Sequence, residues 1–422
     1  MLNKTHDLAL RSWVESAKDH ALFPIQNLPF GIFSTADEAP RVGVAIGDAI
    51  VDLAALARAG LIDASLVAAT ERPNLNALMQ LGSGARKQLR ERLSALLSDR
   101  SAVTHVTGAL YPMADCTMHL PAEIGDYTDF YAGIHHARAV GKIFRPDDEP
   151  LMPNYTHLPI GYHGRSSSIV PSGTLVKRPS GQLSGKEGPV FAPSAKLDFE
   201  LEMAIWIGAT NDRGTPVPIH TAHDAVWGYG LLNDWSARDI QAWEYRPLGP
   251  FLAKNFVTTV SPWVTTPEAL APFRRAAFTR DAKPMGYLFD EADQVAGGLD
   301  IELEVSLSTD KSRAQKLPDF VLSVSHSRYL YWTAAQLVAH HTSGGCPLRA
   351  GDLFGTGTIS GPATHESGSL LELSTDARFP IELPGGETRT YLQDGDEITL
   401  RGICKKDGFA SIALGECRGR VE

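Results

Sequence analysis

The alternation of apolar and polar positions changes character about a quarter of the way along the chain. Residues 41–51 (RVGVAIGDAIV) read as two short strands joined at Gly47 and Asp48, a pair suited to a tight hairpin. The pattern then turns helical. Residues 53–69 predict one helix and residues 75–99 another, with a break at the glycines of 82–84 and a charged final stretch at 86–92. A connecting segment follows at 104–119, and the change in texture places a domain boundary near residue 118. Beyond it the apolar runs are short and punctuated by Gly and Pro. Strands are expected at 197–207, 225–233, 299–308, 370–374 and 397–404, separated by irregular stretches such as 179–193. There is no repeat of fixed period and no low-complexity tract. Scattered strands with few helices between them predict a mainly β, α+β chain rather than a doubly wound α/β one.

The strand at 197–207 sorts its residues by face. Phe199, Leu201, Met203, Ile205 and Ile207 fall on one side, Glu200 and Glu202 on the other. Two carboxylates that close repel unless a cation or a shared proton sits between them. The plain reading is a half-exposed strand with solvated acids, and it describes the same Glu-Leu-Glu pattern at Glu302 and Glu304. At 231–245 an apolar strand runs into Asn233 and Asp234, good helix-start residues, and the expected helix stops before Pro247. On that helix Asp234, Arg238, Gln241 and Tyr245 form one stripe, which is either a solvated face or the wall of a site. Histidine suits proton transfer near neutrality, but the pattern does not choose between His135 and His136, nor between that doublet and His340–His341. Lys254 follows a turn and reads on its own as a surface lysine.

Composition narrows the classes. A hydrophobic share of 43% and a charged share of 21% over 422 residues are those of an ordinary globular chain of one large core or two domains. The net charge of −10 and the lack of a basic stripe exclude nucleic acid as the expected partner. Cys116, Cys346, Cys404 and Cys417 show no CxxC spacing, so neither a disulfide framework nor a structural zinc site is expected. No apolar run reaches the roughly 20 residues of a membrane span, and residues 1–19 lack a signal-peptide core, so a cytoplasmic location is expected. GxSxG, P-loop and HExxH motifs are absent. Residue pattern alone thus supports a polar site without naming its reaction.

Longer runs do name one. Residues 23–33 (FPIQNLPFGIF), 126–131 (DYTDFY), 151–154 (LMPN), 159–165 (PIGYHGR), 198–203 (DFELEM), 233–240 (NDWSARDI), 247–252 (PLGPFL) and 357–362 (GTISGP) resemble the fumarylacetoacetate hydrolase family over nearly the whole chain. The resemblance implies a small SH3-like N-terminal barrel (1–118), a mixed β-roll catalytic domain (119–422), and a homodimer. It implies metal ligands at Asp129, Glu200, Glu202 and Asp234, with Lys254 and Thr258 close to the metal. Hard oxygen donors without His or Cys suit Mg²⁺ or Ca²⁺. The general base carries over to His136 and its acidic partner to Glu372. Arg238, Gln241 and Lys254 match the oxyanion-stabilising set. Tyr131, Arg145, Tyr162, Arg238, Gln241, Tyr245 and Thr358 match the substrate-binding set. Val257 stands where the family commonly has Gly, and the loop 363–367 also departs. The implied activity is metal-dependent hydrolysis of the carbon–carbon bond of 4-fumarylacetoacetate, a small dianionic β-diketone, as the last step of tyrosine and phenylalanine breakdown. Acylpyruvate hydrolysis or oxaloacetate decarboxylation would use the same carboxylates. A silent metal-binding structural protein would keep them without needing His136, Glu372 and Lys254.

Overall fold

The computed structural model describes residues 2–422. The N-terminal part folds around a five-stranded antiparallel sheet, ordered Leu110–Pro112, Ala49–Asp52, Arg41–Ile46, Phe30–Ser34 and Thr117–His119. The expected hairpin is present: Ile46 pairs with Ala49 across Gly47, whose φ of 56° is the left-handed conformation such a turn requires. Asp52 caps the helix Leu53–Arg58 by accepting from the Ala55 N–H. The helix expected over 53–69 is interrupted, because Gly60 turns left-handed (φ 68°) and the chain resumes as a 3₁₀ turn, Ala64–Leu66, that runs into Val67–Thr70. The second expected helix breaks at Leu81, giving Asn76–Gln80 and Gly82–Ser98.

The remainder is a mixed roll. Seven strands run in the order Gly161–His163, Tyr127–Phe130, Leu353–Gly355, Leu201–Ile207, Val226–Asp234, Thr258–Val260 and Ile169–Pro171. A second sheet of five strands contains Phe320–His326, Glu302–Ser308, Glu397–Cys404, Ile412–Val421 and Leu175–Val176. Leu201, Met203, Ile205 and Ile207 join the core between the sheets. Ala204 and Trp206, on the opposite face, are not solvated. They pack with Phe30, Ile32, Leu93 and Leu97 of the N-terminal part. The backbone Phe30 N–H donates to Val264 O at 2.9 Å, and Arg86 Nε donates to Glu268 Oε2 at 2.8 Å, across the same junction. The central strand is therefore buried on both faces, and the half-exposed reading of it fails.

Two expected elements differ. Residues 370–374 form a helix, Leu370–Leu373, because Ser369 caps it by accepting from the Glu372 N–H. A short apolar run is ambiguous between strand and helix until its ends are settled. The stripe predicted as one helix is split. Asp234 ends the strand Val226–Asp234, and the helix runs only from Arg238 to Glu244.

Candidate active site

Carboxylates from three inner strands of the seven-stranded sheet meet at one place. Asp129, Glu202 and Asp234 each offer an oxygen, all within 4.8 Å of one another, and all three residues are buried. Two glycines permit the crowding. Gly355 lies between the strands of Asp129 and Ala204, and any Cβ on it would come within 3.0 Å of both Asp129 Oδ1 and Glu202 Oε2. Gly357 adopts φ 76°, and its N–H donates to Glu202 Oε2 at 2.9 Å. Burial, together with the neighbouring carboxylates, pushes Asp129 and Glu202 well above the usual carboxylate range. Asp129 Oδ1 and Glu202 Oε1 are buried with no hydrogen-bond partner among the described residues. Orphaned buried carboxylate oxygens in a hard-donor cluster fit a divalent cation of the Mg²⁺ or Ca²⁺ kind.

Glu200, the fourth carboxylate named by resemblance, is placed differently. It sits in the gap between Leu197–Asp198 and Leu201–Ile207 and is gripped by cations. Arg238 Nη1 lies 2.7 Å from its Oε1, and Lys254 Nζ bonds its Oε2. Burial would raise its carboxyl, but Lys254, Arg238 and His136 outweigh burial and hold it below its ordinary value. Lys254 is no surface lysine. It is 6% exposed and also donates to Asp234 Oδ2 at 2.6 Å. Tyr162 OH donates to the same oxygen at 2.9 Å, and Thr258 Oγ1 to Asp234 Oδ1 at 3.3 Å. Val257, beside Thr258, turns into the apolar core.

The histidine ambiguity resolves by geometry. His136, on the helix Ile134–Phe144, is buried with Nδ1 2.7 Å from Glu372 Oε2. That oxygen also accepts from Ser360 Oγ at 2.9 Å and Ser369 Oγ at 2.7 Å. Ser360 Oγ in turn accepts from the Gly368 N–H at 2.9 Å, which leaves its hydroxyl proton for Glu372. Burial alone would raise Glu372; His136, Ser369 and Ser360 prevail and hold it low. An anionic acceptor surrounded by donors fixes the proton of His136 on Nδ1 and leaves Nε2 as the basic atom. Nε2 lies 3.8 Å from Glu200 Oε1. His135 turns away, its ring against Tyr329 at 5.3 Å, while His340 meets Tyr287 and His341 meets Thr128.

A cavity of about 400 Å³ opens over these groups. Tyr131, Arg145, Tyr162, Arg238, Gln241, Tyr245 and Thr358 all line it, along with His136, Lys254, Asp129, Glu200 and Glu202. Asp234, Thr258 and Glu372 stand one contact behind its wall. The buried Arg238 Nη2 and Arg145 Nε have no partner among the described residues, so both guanidiniums hold donors in reserve. Sequence reasoning missed the apolar rim of Val140, Phe144 and Leu248. It also missed Ser360, Ser369 and Asp198. Asp198 had a signal: with Glu200 and Glu202 it completes a run of three acids at alternate positions.

A buried carboxylate cluster beside a polarised histidine and free guanidinium donors, set in the mouth of a mixed β-roll, defines a hydrolase site supplied with a divalent-cation cradle. Comparison with known proteins specifies the family. Residues 127–422 match the model described as "Fumarylacetoacetate (FAA) hydrolase C-terminal", and residues 26–121 that described as "Fumarylacetoacetase N-terminal". The chain is 49% identical to a fumarylacetoacetase of Caenorhabditis elegans, covering 98% of this chain and 99% of that one. It is 46% identical to the Homo sapiens fumarylacetoacetase, covering 97% and 98%. A solved fumarylacetoacetate hydrolase from Exiguobacterium antarcticum shares the fold, with a TM-score of 0.51 and 17% identity over 94% of this chain and 99% of that one. The chain belongs to the fumarylacetoacetate hydrolase family and is a hydrolase.

Proposed function

We propose that the protein hydrolyses 4-fumarylacetoacetate to fumarate and acetoacetate, the last step of tyrosine and phenylalanine breakdown. The supporting observation is geometric: one cavity is walled by all seven residues of the substrate-binding set and by His136. His136 Nε2, with Nδ1 bonded to Glu372, takes a proton from water. The water oxygen adds to the carbonyl beside the fumaryl group. Arg238, Gln241 and Lys254 donate to the oxyanion that forms; such donors typically contribute about 2.7–4 kcal/mol each. The carbon–carbon bond then breaks, fumarate is released, and the acetoacetate carbanion takes back the proton from His136. Arg145 and the three tyrosines hold the carboxylates of the substrate, for which a guanidinium is geometrically suited. Bound Mg²⁺ or Ca²⁺, held by Asp129, Glu200, Glu202 and Asp234 with Lys254 and Thr258 beside it, would supply Lewis-acid stabilisation to the diketone oxygens.

We further read the protein as a homodimer, as the family resemblance implies, as cytoplasmic, and as built of structural units at 1–118 and 119–422, divided where the sequence changes texture. The test is turnover of fumarylacetoacetate, followed by loss of the diketone absorbance, beside acylpyruvates and oxaloacetate. Preference for fumarylacetoacetate is expected. Cleavage of an acylpyruvate with fumarylacetoacetate untouched would overturn the reading.

A further inference from the structure

Asp198 has no role in the chemistry above, yet it is fully buried and its two oxygens accept four hydrogen bonds. Oδ1 accepts from the N–H of Phe199 at 2.8 Å and of Leu370 at 2.7 Å. Oδ2 accepts from Arg238 Nε at 2.9 Å and from the Leu371 N–H at 3.0 Å. These donors belong to three separate parts of the site. Phe199 precedes Glu200. Arg238 carries the oxyanion donors. Leu370 and Leu371 open the short helix whose third residue, Glu372, orients His136.

The consequence for Arg238 is specific. Its Nε is taken by Asp198, and its Nη1 lies 2.7 Å from Glu200 and donates to Gln241 at 3.2 Å. Only Nη2 is left without a partner among the described residues, and the side chain lines the cavity. A planar guanidinium held at Nε cannot swing its fork, so Nη2 keeps one direction. Glu372 is held by the same carboxylate through the backbone of its helix.

We infer that Asp198 is a positioning residue that ties Arg238 and the Glu372 helix into one frame, keeping the oxyanion donor in register with the base. The inference rests on the reaction proposed above. A misplacement of about 1 Å can cost on the order of 100-fold in rate, so the frame matters to kcat even though Asp198 never touches substrate.

Asp198→Asn is nearly isosteric and tests it in the full chain with the divalent ion present. Its oxygen can still serve Phe199 and Leu370, but its amide would set a donor against Arg238 Nε and the Leu371 N–H. The expected result is a fall of about 100-fold in kcat with KM changed by no more than about 3-fold. In an Arg238→Met background the same change should cost clearly less than about 100-fold, because one of the two groups it holds is gone and only the Glu372 helix is left to shift. Wild-type kcat in Asp198→Asn, a loss carried by KM, or the full loss repeated in the Arg238→Met background would each overturn the inference. A melting measurement stands apart from turnover. Arg238→Met leaves Asp198 a buried charge without its cation, so the double variant should melt higher than Arg238→Met alone. A double variant that melts no higher also overturns the inference. This arm is readable if Asp198→Asn alone fails to fold. It also holds if fumarylacetoacetate proves not to be the substrate, a failure that wild-type turnover reports separately.

Discussion

Gly355→Ala adds one methyl group at the point where the carboxylate cluster is tightest. The backbone at Gly355 lies outside the left-handed region, so alanine meets no torsional penalty there. On that account alone the change would stabilise the fold by about 0.4–1 kcal/mol, through a less flexible unfolded chain. The new Cβ, however, would stand within 3.0 Å of Asp129 Oδ1 and of Glu202 Oε2, where real side-chain atoms do not pack. Overfilling a packed interior costs about 1–3 kcal/mol, so a net loss of about 1–2 kcal/mol is expected. The sharper effect falls on cation binding. Both carboxylates must splay, and disturbing the geometry of a metal site typically weakens binding by about 10–100-fold. Titration calorimetry of the chelator-stripped chain with Mg²⁺ or Ca²⁺, paired with urea unfolding, reads both quantities. Gly344→Ala is the control, since a Cβ on that exposed residue meets nothing within 4 Å. Cation affinity equal to wild type, or a stability loss with affinity intact, would refute the reasoning.

Glu372→Gln should lower kcat by a factor on the order of 10³–10⁴ while leaving the melting temperature near wild type, because an amide no longer fixes the proton on His136 Nδ1; steady-state kinetics with a thermal melt check it. His136→Ala should abolish turnover and keep the divalent ion, whereas His135→Ala, whose ring packs against Tyr329, should keep most activity; paired rate and metal-content measurements decide. The junction with the N-terminal part carries a pH signature. Burial would raise the Glu268 carboxyl, but its hydrogen bond and charge contact with Arg86 prevail and depress it. A depressed folded value means the contribution is complete above the ordinary carboxylate range and is lost as pH falls through the folded value. Glu268→Gln should therefore cost on the order of 3 kcal/mol at neutral pH, by leaving the Arg86 charge buried, and should flatten that acid limb in denaturation followed against pH.

The elements legible in the sequence were those whose ends carry their own chemistry. The hairpin at Gly47 and the strands about 200, 230, 302 and 400 stand where patterning expected them. The misread elements were decided by distant groups. Residues 370–373 are helical because Ser369 and the side chain of Asp198, far away in sequence, satisfy the first N–H groups. Asp234 sits on a strand rather than a helix because it continues the ladder, pairing with Thr258. The polar stripe still converges, across a strand end and a helix start instead of along one helix. The choice of His136 over His135 was open to pattern. It follows from which face of the helix Ile134–Phe144 meets Glu372, a contact 236 positions away in the chain.

The two Glu-Leu-Glu strands show why local pattern could not finish the argument. Glu302 and Glu304 stand on a strand whose outer side meets water. Glu302 bonds Lys405 at 3.0 Å and Glu304 bonds Arg401 at 3.2 Å, pairs that contribute little at a surface. Glu202 stands in a like Glu-Leu-Glu run but shares its strand face with Ala204 and Trp206, on which the N-terminal part packs. Within the seven-stranded sheet that carboxylate is buried, accepts from the Gly357 N–H and has Asp129 and Asp234 as neighbours. Three acids whose one direct cation among the described residues, Lys254, is shared with Glu200 do not all stay ionised in a medium where each charge is expensive. A solvated pair is indifferent to a divalent ion, whereas a buried triad is destabilised without one. Strand neighbours supplied by the fold, Asp129, Asp234 and the tight Gly355, turn an unremarkable alternation of Glu and Leu into a site that demands a cation.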